Sequence, residues 1–214
     1  MARLVSQRLP DKMRTDRDSL DELLDSTVLA HVGVMVEGRA MVFPTGFARV
    51  GDELVIHGST GSGWLRALSD QEVSVTVTRV DAVVVARSTF ESSMHYRSAM
   101  IMGRFTAATG ERKNQLLDAY SERVVPGRNR EVRSPTRREY AATLALVLPI
   151  EQWSLRVSNG WPEDAPDDLE GDAWAGVVRF DPVTASVEAA PDLRVGIPVP
   201  PSVRELAAHP DRLA

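Results

Sequence analysis

The chain has 214 residues, 43% hydrophobic and 26% charged, a length and composition that suit one buried core in a globular unit. It has no cysteine, which excludes thiol catalysis, disulfides, thiolate zinc sites and iron–sulfur clusters. The net charge of −5 is uneven: 11 acidic and 4 basic residues lie from Pro162 onward, leaving a near-neutral body of 19 acidic and 21 basic residues.

The basic start, MARLVSQRLPDKMR, has no apolar stretch behind it and reads as no signal peptide. The longest apolar run, AATLALVLPI, is broken by Pro149 and falls short of the ~18 residues of a membrane span. A cytoplasmic protein without a membrane partner is expected. TDRDSLDELLDST then predicts a surface helix, with Thr15 three residues before Asp18 in the manner of a capping box and Leu20, Leu23 and Leu24 on one face. Residues 28–58 give three apolar or alternating runs separated by Glu37-Gly38-Arg39 and Gly51-Asp52, which predicts three antiparallel strands joined by hairpins. Pro44 cannot donate to a ladder, so its strand belongs at an edge, at a bulge or beside something that is not a strand.

SGWLRALSD predicts a short helix, EVSVTVTRV an alternating strand, and RSAMIMGRFTAAT another strand reached through the polar stretch ARSTFESSMHY. GERKNQLLDAYSERVV is an amphipathic helix with Leu116, Leu117, Tyr120 and Val124 at helical spacing, ending near Pro126-Gly127. TRREYAATLALVLPI and QWSLRVSNG suggest a helical turn and two strands, and AWAGVVRF one more. Eight of the 13 prolines fall from Pro162 onward, marking an acidic, proline-rich C-terminal extension of a single domain spanning 1–214. Many hairpin-linked strands with helices between only some of them favour a mainly β fold, an antiparallel barrel with peripheral helices.

HGSTGSGWLRAL has the ingredients of an anion cradle: glycines that let backbone N–H groups converge, hydroxyls on Ser59, Thr60 and Ser62, and a helix start behind them. The same composition also suits an exposed turn, and neither GxxxxGK[ST] nor GxGxxG fits. In MHYRSAMIMGR, Tyr96, Arg97 and Ser98 could stack on a ring and bind its polar edge, or form a surface arginine beside a core tyrosine. Trp174 offers a flat face that equally suits core or interface, and His31 reads as a core or interface histidine. GRNREVRSPTRR packs five arginines without interleaved aromatics into an acidic protein, a solvated loop rather than a nucleic-acid site. None of the histidines, His31, His57, His95 and His209, forms a short-spaced metal motif, so no metal site is expected. GxSxG is not found.

Taken together, RTDRDSLDELLDSTVLAHVGVMVEGRAMVFPTGFARVGDELVIHGSTGS, VTVTRVDAVVVARSTFESSMHYRSAMIMGR, VVPGR, LALVLPIEQWSLRV, WAGVV and GIPVP resemble, in order, the flavin-binding proteins related to pyridoxamine 5'-phosphate oxidase, including their nitroimidazole-resistance-like branch. The resemblance implies a split β-barrel, usually a homodimer, with FMN in a cleft at the dimer interface. It implies that His57, Gly58, Ser59, Thr60, Gly61 and Ser62 run along the FMN phosphate and ribityl chain. Pro44, Thr45, Gly46 and Phe47 would lie beside the isoalloxazine ring, and Tyr96, Arg97 and Ser98, the family's YRS, would complete the pocket. Trp174 would approach from the later strands or from the partner chain. Three departures stand out. The basic residue common after TGS is replaced by Gly63 and Trp64; the family's HHSMNYRS reads ESSMHYRS, gaining Glu91 and His95; and the usual basic, GPP-containing stretch reads SNGWPEDAP. The C-terminal signature associated with vitamin B6 oxidation is not found. An FMN-dependent oxidoreductase acting on a small molecule is the expectation, with a non-turnover flavin-binding module, or the deazaflavin F420 or haem on the same barrel, as alternatives.

Overall fold

The structure is a computed structural model and describes residues 9–180, 187 and 198–209. The first eight residues, most of the far end of the proline-rich extension and the Gly-Ile of GIPVP lie outside the described residues. The elements run β1 (Met13–Arg14), α1 (Arg17–Asp25), β2 (Leu29–Val36), β3 (Arg39–Gly46), β4 (Ala48–Val50), β5 (Glu53–Ser59), α2 (Gly63–Ala67), β6 (Val73–Val85) and β7 (Ser93–Gly103). There follow β8 (Thr106–Ala107), α3 (Gly110–Val124), α4 (Arg137–Ala142), β9 (Thr143–Pro149), β10 (Gln152–Val157), β11 (Gly176–Arg179) and α5 (Pro201–Ala208).

Every strand pairing is antiparallel. One sheet has the order β1-β10-β7-β6-β2-β3, with β11 added to the far end of β6; the other has the order β4-β5-β9-β8. The two halves of a split β-barrel are joined where β3 runs into β4 through Phe47, whose amide donates to the Val28 carbonyl at 2.9 Å. The alternation read from the sequence decides what fills the barrel: Val32, Val75, Ile101 and Leu155 from the larger sheet meet Leu54, Ile56, Leu146 and Leu148 from the smaller. α1 plugs one end, burying Leu20, Leu23 and Leu24 in the same core. Its N-cap is Asp16, which accepts the Ser19 amide at 2.9 Å, so the expected cap at Thr15 moves one residue.

The β2–β3 turn places Glu37 and Gly38 at φ 51° and 74°, the left-handed pair of a tight hairpin. β3 ends its sheet, which accommodates Pro44 as expected of an edge strand. β7 begins at Ser93, four residues before the expected start at Arg97, because β6 runs on to Val85 and gives the polar stretch a partner. α3 lies on the outer face of the smaller sheet, where Leu116 joins Val55, Ala145 and Val147 in a second apolar cluster.

Candidate functional site

Alternation along β5 turns Leu54 and Ile56 into the barrel and leaves Val55 and His57 on the outer face, beneath α3. There Tyr120 meets the imidazole edge to face, with ring centroids 4.3 Å apart and planes at 74°. The Tyr120 hydroxyl lies over Gly46, so closely that a Cβ at that glycine would stand 2.2 Å from it. His57 Nδ1 is buried without a hydrogen-bond partner. Burial holds the His57 pKa below its ordinary value and pushes that of Tyr120 up. The two rings border a cavity of about 700 Å³ whose walls include Leu117, Val124, Arg128, Arg133 and Tyr140. Its arginines are paired: Arg128 with Glu131 at 3.1 Å, and Arg133 through both terminal nitrogens with Glu139 at 2.8 Å. Arg133, together with the Thr136 cap, lowers the Glu139 carboxyl to about 2.

The glycine-rich loop follows directly from this strand. Its amides are already engaged: Thr60 donates to the Ala142 carbonyl at 2.9 Å, Ser62 to the Ser59 carbonyl at 2.9 Å, and Gly61 to the Ser59 hydroxyl at 3.1 Å. Arg66 folds back onto the Thr60 carbonyl at 2.6 Å. The expected cradle therefore rests on the hydroxyls and the start of α2, with Ser59, Thr60, Gly61 and Gly63 exposed. Trp64 stacks on Phe43 at 4.6 Å, which explains why an aromatic stands in a place the family often gives to a basic side chain.

The remaining expected residues separate by strand parity. On β7, Tyr96 and Ser98 share the outer face with Met100 and Met102, whereas Arg97 shares the inner one with Ala99 and Ile101. Ser98 pairs with Thr78 at 3.2 Å, and Arg156 lies over the Tyr96 ring at 5.6 Å. Arg97 is bidentate to Asp81 at 3.1 and 3.0 Å and reaches Glu22 of α1 at 2.8 Å. Pro44, opposite His31, lies on the same outer face as Ser98. Phe47 is buried in the core. Trp174, 67% exposed, lies against Gly176, where a Cβ would meet its ring at 2.7 Å. Gly46 and His57 thus both meet Tyr120 beside the α3 cavity and the Ser59–Ser62 loop follows from it, while Pro44, Tyr96 and Ser98 face outward from the larger sheet. Tyr120, Tyr140 and Arg128 were not singled out as site residues. The helical spacing marked Tyr120 only as part of an apolar face.

A third region lies at the far ends of β6 and β7. His95, 5% exposed, lines a cleft of about 310 Å³ together with Lys12, Phe90, Met94, Trp161 and Glu163. Burial lowers the His95 pKa, Arg179 and Lys12 lower it further, and Asp81 opposes them. Among the described residues no group of three or more histidine, aspartate or glutamate side chains could hold a bare metal ion, and no helix is long and apolar enough to cross a membrane.

The family model for pyridoxamine 5'-phosphate oxidase matches residues 16–157. Among solved structures, the FAD and haem binding protein of Mycobacterium smegmatis is similar at 51% identity, with 92% of this chain and 97% of that one covered and a TM-score of 0.88. The flavocytochrome Anf3 of Azotobacter vinelandii is similar at 31% identity, with 96% of both chains covered and a TM-score of 0.90. A protein assigned to 5-nitroimidazole resistance in Bacteroides thetaiotaomicron shares the fold at 20% identity, covering 68% of this chain and 86% of that one with a TM-score of 0.58. A search of curated proteins finds no match.

Proposed function

The chain belongs to the pyridoxamine 5'-phosphate oxidase family, and on that premise we propose that it is a cytoplasmic, flavin-binding oxidoreductase that also carries haem. The observation that carries the reading is similarity along nearly the whole chain to two proteins named for both groups, one for FAD and haem and one as a flavocytochrome. We take the flavin to be FAD rather than FMN, since the 51% identical relative is named for FAD. The cavity beside His57 adjoins the loop proposed to hold the phosphate, since Thr143 of its wall pairs with Ser59.

A bound flavin supplies hydride and one-electron chemistry, and a bound haem supplies one-electron chemistry. The protein's part is binding and orientation. The Ser59, Thr60 and Ser62 hydroxyls would donate to the phosphate oxygens at the start of α2. Gly46 leaves room for the Tyr120 hydroxyl, and Tyr120 packs edge to face on the His57 imidazole, while the absent Cβ of Gly58 makes way for Leu65 in the core. Pro44, Tyr96 and Ser98 would meet the flavin ring from the outer sheet face, where a second copy of the chain would complete the pocket, whereas Thr45, paired with the buried Ala30, has the opposite parity. Trp174 would come from that second copy, and Arg97 would act from beneath by holding β7 to α1. Support for the homodimer comes from Met35 and Val42, exposed around a groove of about 650 Å³ on that face.

The donor set also fits haem. Haem brings four ring nitrogens to its iron and asks the protein for an axial side chain, which a histidine of this chain could supply. Reconstitution followed by chromatography of the acid-released flavin tests the reading: one FAD per chain and a Soret band after haemin addition are expected. A protein that refuses FAD and FMN but takes up F420 would overturn the flavin assignment.

A further inference from the structure

The register of the larger sheet decides which side chains share its outer face. His31 lies opposite Pro44 and Thr76, Thr76 opposite Met100, and Met100 opposite Ser154, so alternate residues of β2, β3, β6 up to Val80, β7 and β10 point the same way. These positions carry aliphatic, methionine, hydroxyl, amide and glycine residues, with His31, Tyr96 and Pro44, and neither aspartate nor glutamate. Arg156 is the one side chain of full charge among them. Glu72, at the rim beside Ser74, is paired with Arg104 at 3.2 Å.

Other arginines of this sheet have acceptors. Arg97 holds Asp81 and Glu22, Arg79 donates to the Ser26 carbonyl at 3.3 Å, and Arg87 follows β6 into its pair with Asp164. The Arg156 side chain makes no ion pair and no hydrogen bond among the described residues, and its Nε is buried. Its guanidinium lies over the Tyr96 ring at 5.6 Å, a contact that supplies a negative ring face but no counter-charge. Across the ladder Arg156 faces Ser98, whose hydroxyl accepts from Thr78 at 3.2 Å and keeps its own proton for another acceptor.

Association through this face turns the lone cation into a constraint. Two copies related by a two-fold axis meet through the same patch, so the partner's outer face brings a second arginine and no carboxylate. Enclosing a guanidinium without a counter-charge is strongly unfavourable. An oxidised flavin ring carries no formal charge, and its phosphate is assigned to the Ser59–Ser62 loop of the other sheet. We propose that Arg156 anchors the carboxylate of an organic acid, the small-molecule substrate, beside the flavin ring. A carboxylate matches one cation, whereas a phosphate of nearly two charges would be left half neutralised. The planar guanidinium can take both carboxylate oxygens, with the Ser98 hydroxyl as a further donor, while Tyr96 and Met100 flank Ser98 along β7 and offer an apolar bed to a ring. This assignment rests on the dimeric flavoprotein reading above and adds the substrate class to it.

The test uses the full-length, FAD-loaded protein, titrated by calorimetry with benzoate, with its neutral isostere benzamide and with phenyl phosphate. Wild type is expected to bind benzoate at least about tenfold more tightly than benzamide, and Arg156→Gln to lose that preference. Arg156→Lys, which keeps the charge but not the fork, should retain part of it. A second readout needs no ligand: with the uncompensated cation removed, Arg156→Gln should dissociate less readily than wild type on dilution, followed by light scattering, and benzoate should tighten only the wild-type dimer. Equal affinity for benzoate and benzamide in a dimeric, flavin-loaded wild type overturns the carboxylate site and leaves the flavoprotein reading standing. So does an Arg156→Gln variant that keeps the preference, or one whose ligand-free dimer is weaker than wild type. Tighter binding of phenyl phosphate than of benzoate overturns the substrate class. A wild type that is monomeric or takes up no flavin overturns both readings.

Discussion

Gly46 and Tyr120 show how one missing side chain shapes the cavity. Because a Cβ at Gly46 would fall 2.2 Å from the Tyr120 hydroxyl, Gly46→Ala must displace the ring that orients His57. A cost of about 1–3 kcal/mol is expected from urea unfolding. Tyr120→Phe removes the clashing oxygen, so the double variant should recover part of the loss; strictly additive effects would show that the two do not interact. His57 and His95 are both held neutral by burial, below an ordinary value of 6.5. The unfolded chain then binds more protons than the folded one in the window beneath 6.5, so stability is full above it and falls as the pH drops toward the folded values. Urea midpoints measured through that window should decline, and decline less in His57→Gln. Gly63 is exposed, with open space where a Cβ would go. Gly63→Arg should therefore be tolerated and, by returning a cation to the phosphate loop, tighten flavin binding about tenfold. Unchanged affinity by fluorescence titration would place the phosphate elsewhere.

At the scale of elements, the acidic stretch after β10 is fastened rather than free. Its anchor is the Arg87–Asp164 pair, with Asp164 fully enclosed and Arg87 Nε buried without a partner. Removing the carboxylate alone leaves a largely buried guanidinium uncompensated. Asp164→Ala should cost about 3 kcal/mol, and Arg87→Met with Asp164→Leu should cost less than Asp164→Ala alone. Proteolysis within residues 158–170 ought to accelerate in the single variant. β6 and β7 extend well past the barrel and carry this loop and β11 with them. The third region is thus an outgrowth of two long strands, not a piece of the core.

For the whole molecule, the open outer face of the larger sheet is the feature that a lone protomer leaves unexplained. β3 is its edge, yet Pro44 removes one amide from the ladder, so association by face is favoured over strand addition. Light scattering at micromolar concentration should give a dimer. Val42→Glu places a charge where a 65% exposed valine stands, and should shift the protein toward monomer without lowering its unfolding midpoint. If flavin affinity falls with dimerisation in that variant, the pocket needs both copies. A monomeric wild type would remove the premise.

Period-two alternation places β2, β5 and β6, because each buries one face and its register follows from which residues are apolar, while β3, which buries neither face, is placed by its hairpin turn. The same reasoning located the helix at 110–124 and the edge position of Pro44. The dispersed motifs identified the family. Only the tertiary structure could show that Tyr96 and Ser98 face away from Arg97, although the pleat alone forbids three consecutive strand residues from converging. Likewise, the hydroxyl of Tyr120 over Gly46 joins residues 74 positions apart, and no local pattern encodes that meeting. The His95 cleft depends on folding most of all. Its two walls come from segments whose composition reads as polar loop, and they form one cleft because a buried ion pair and one backbone hydrogen bond hold them together.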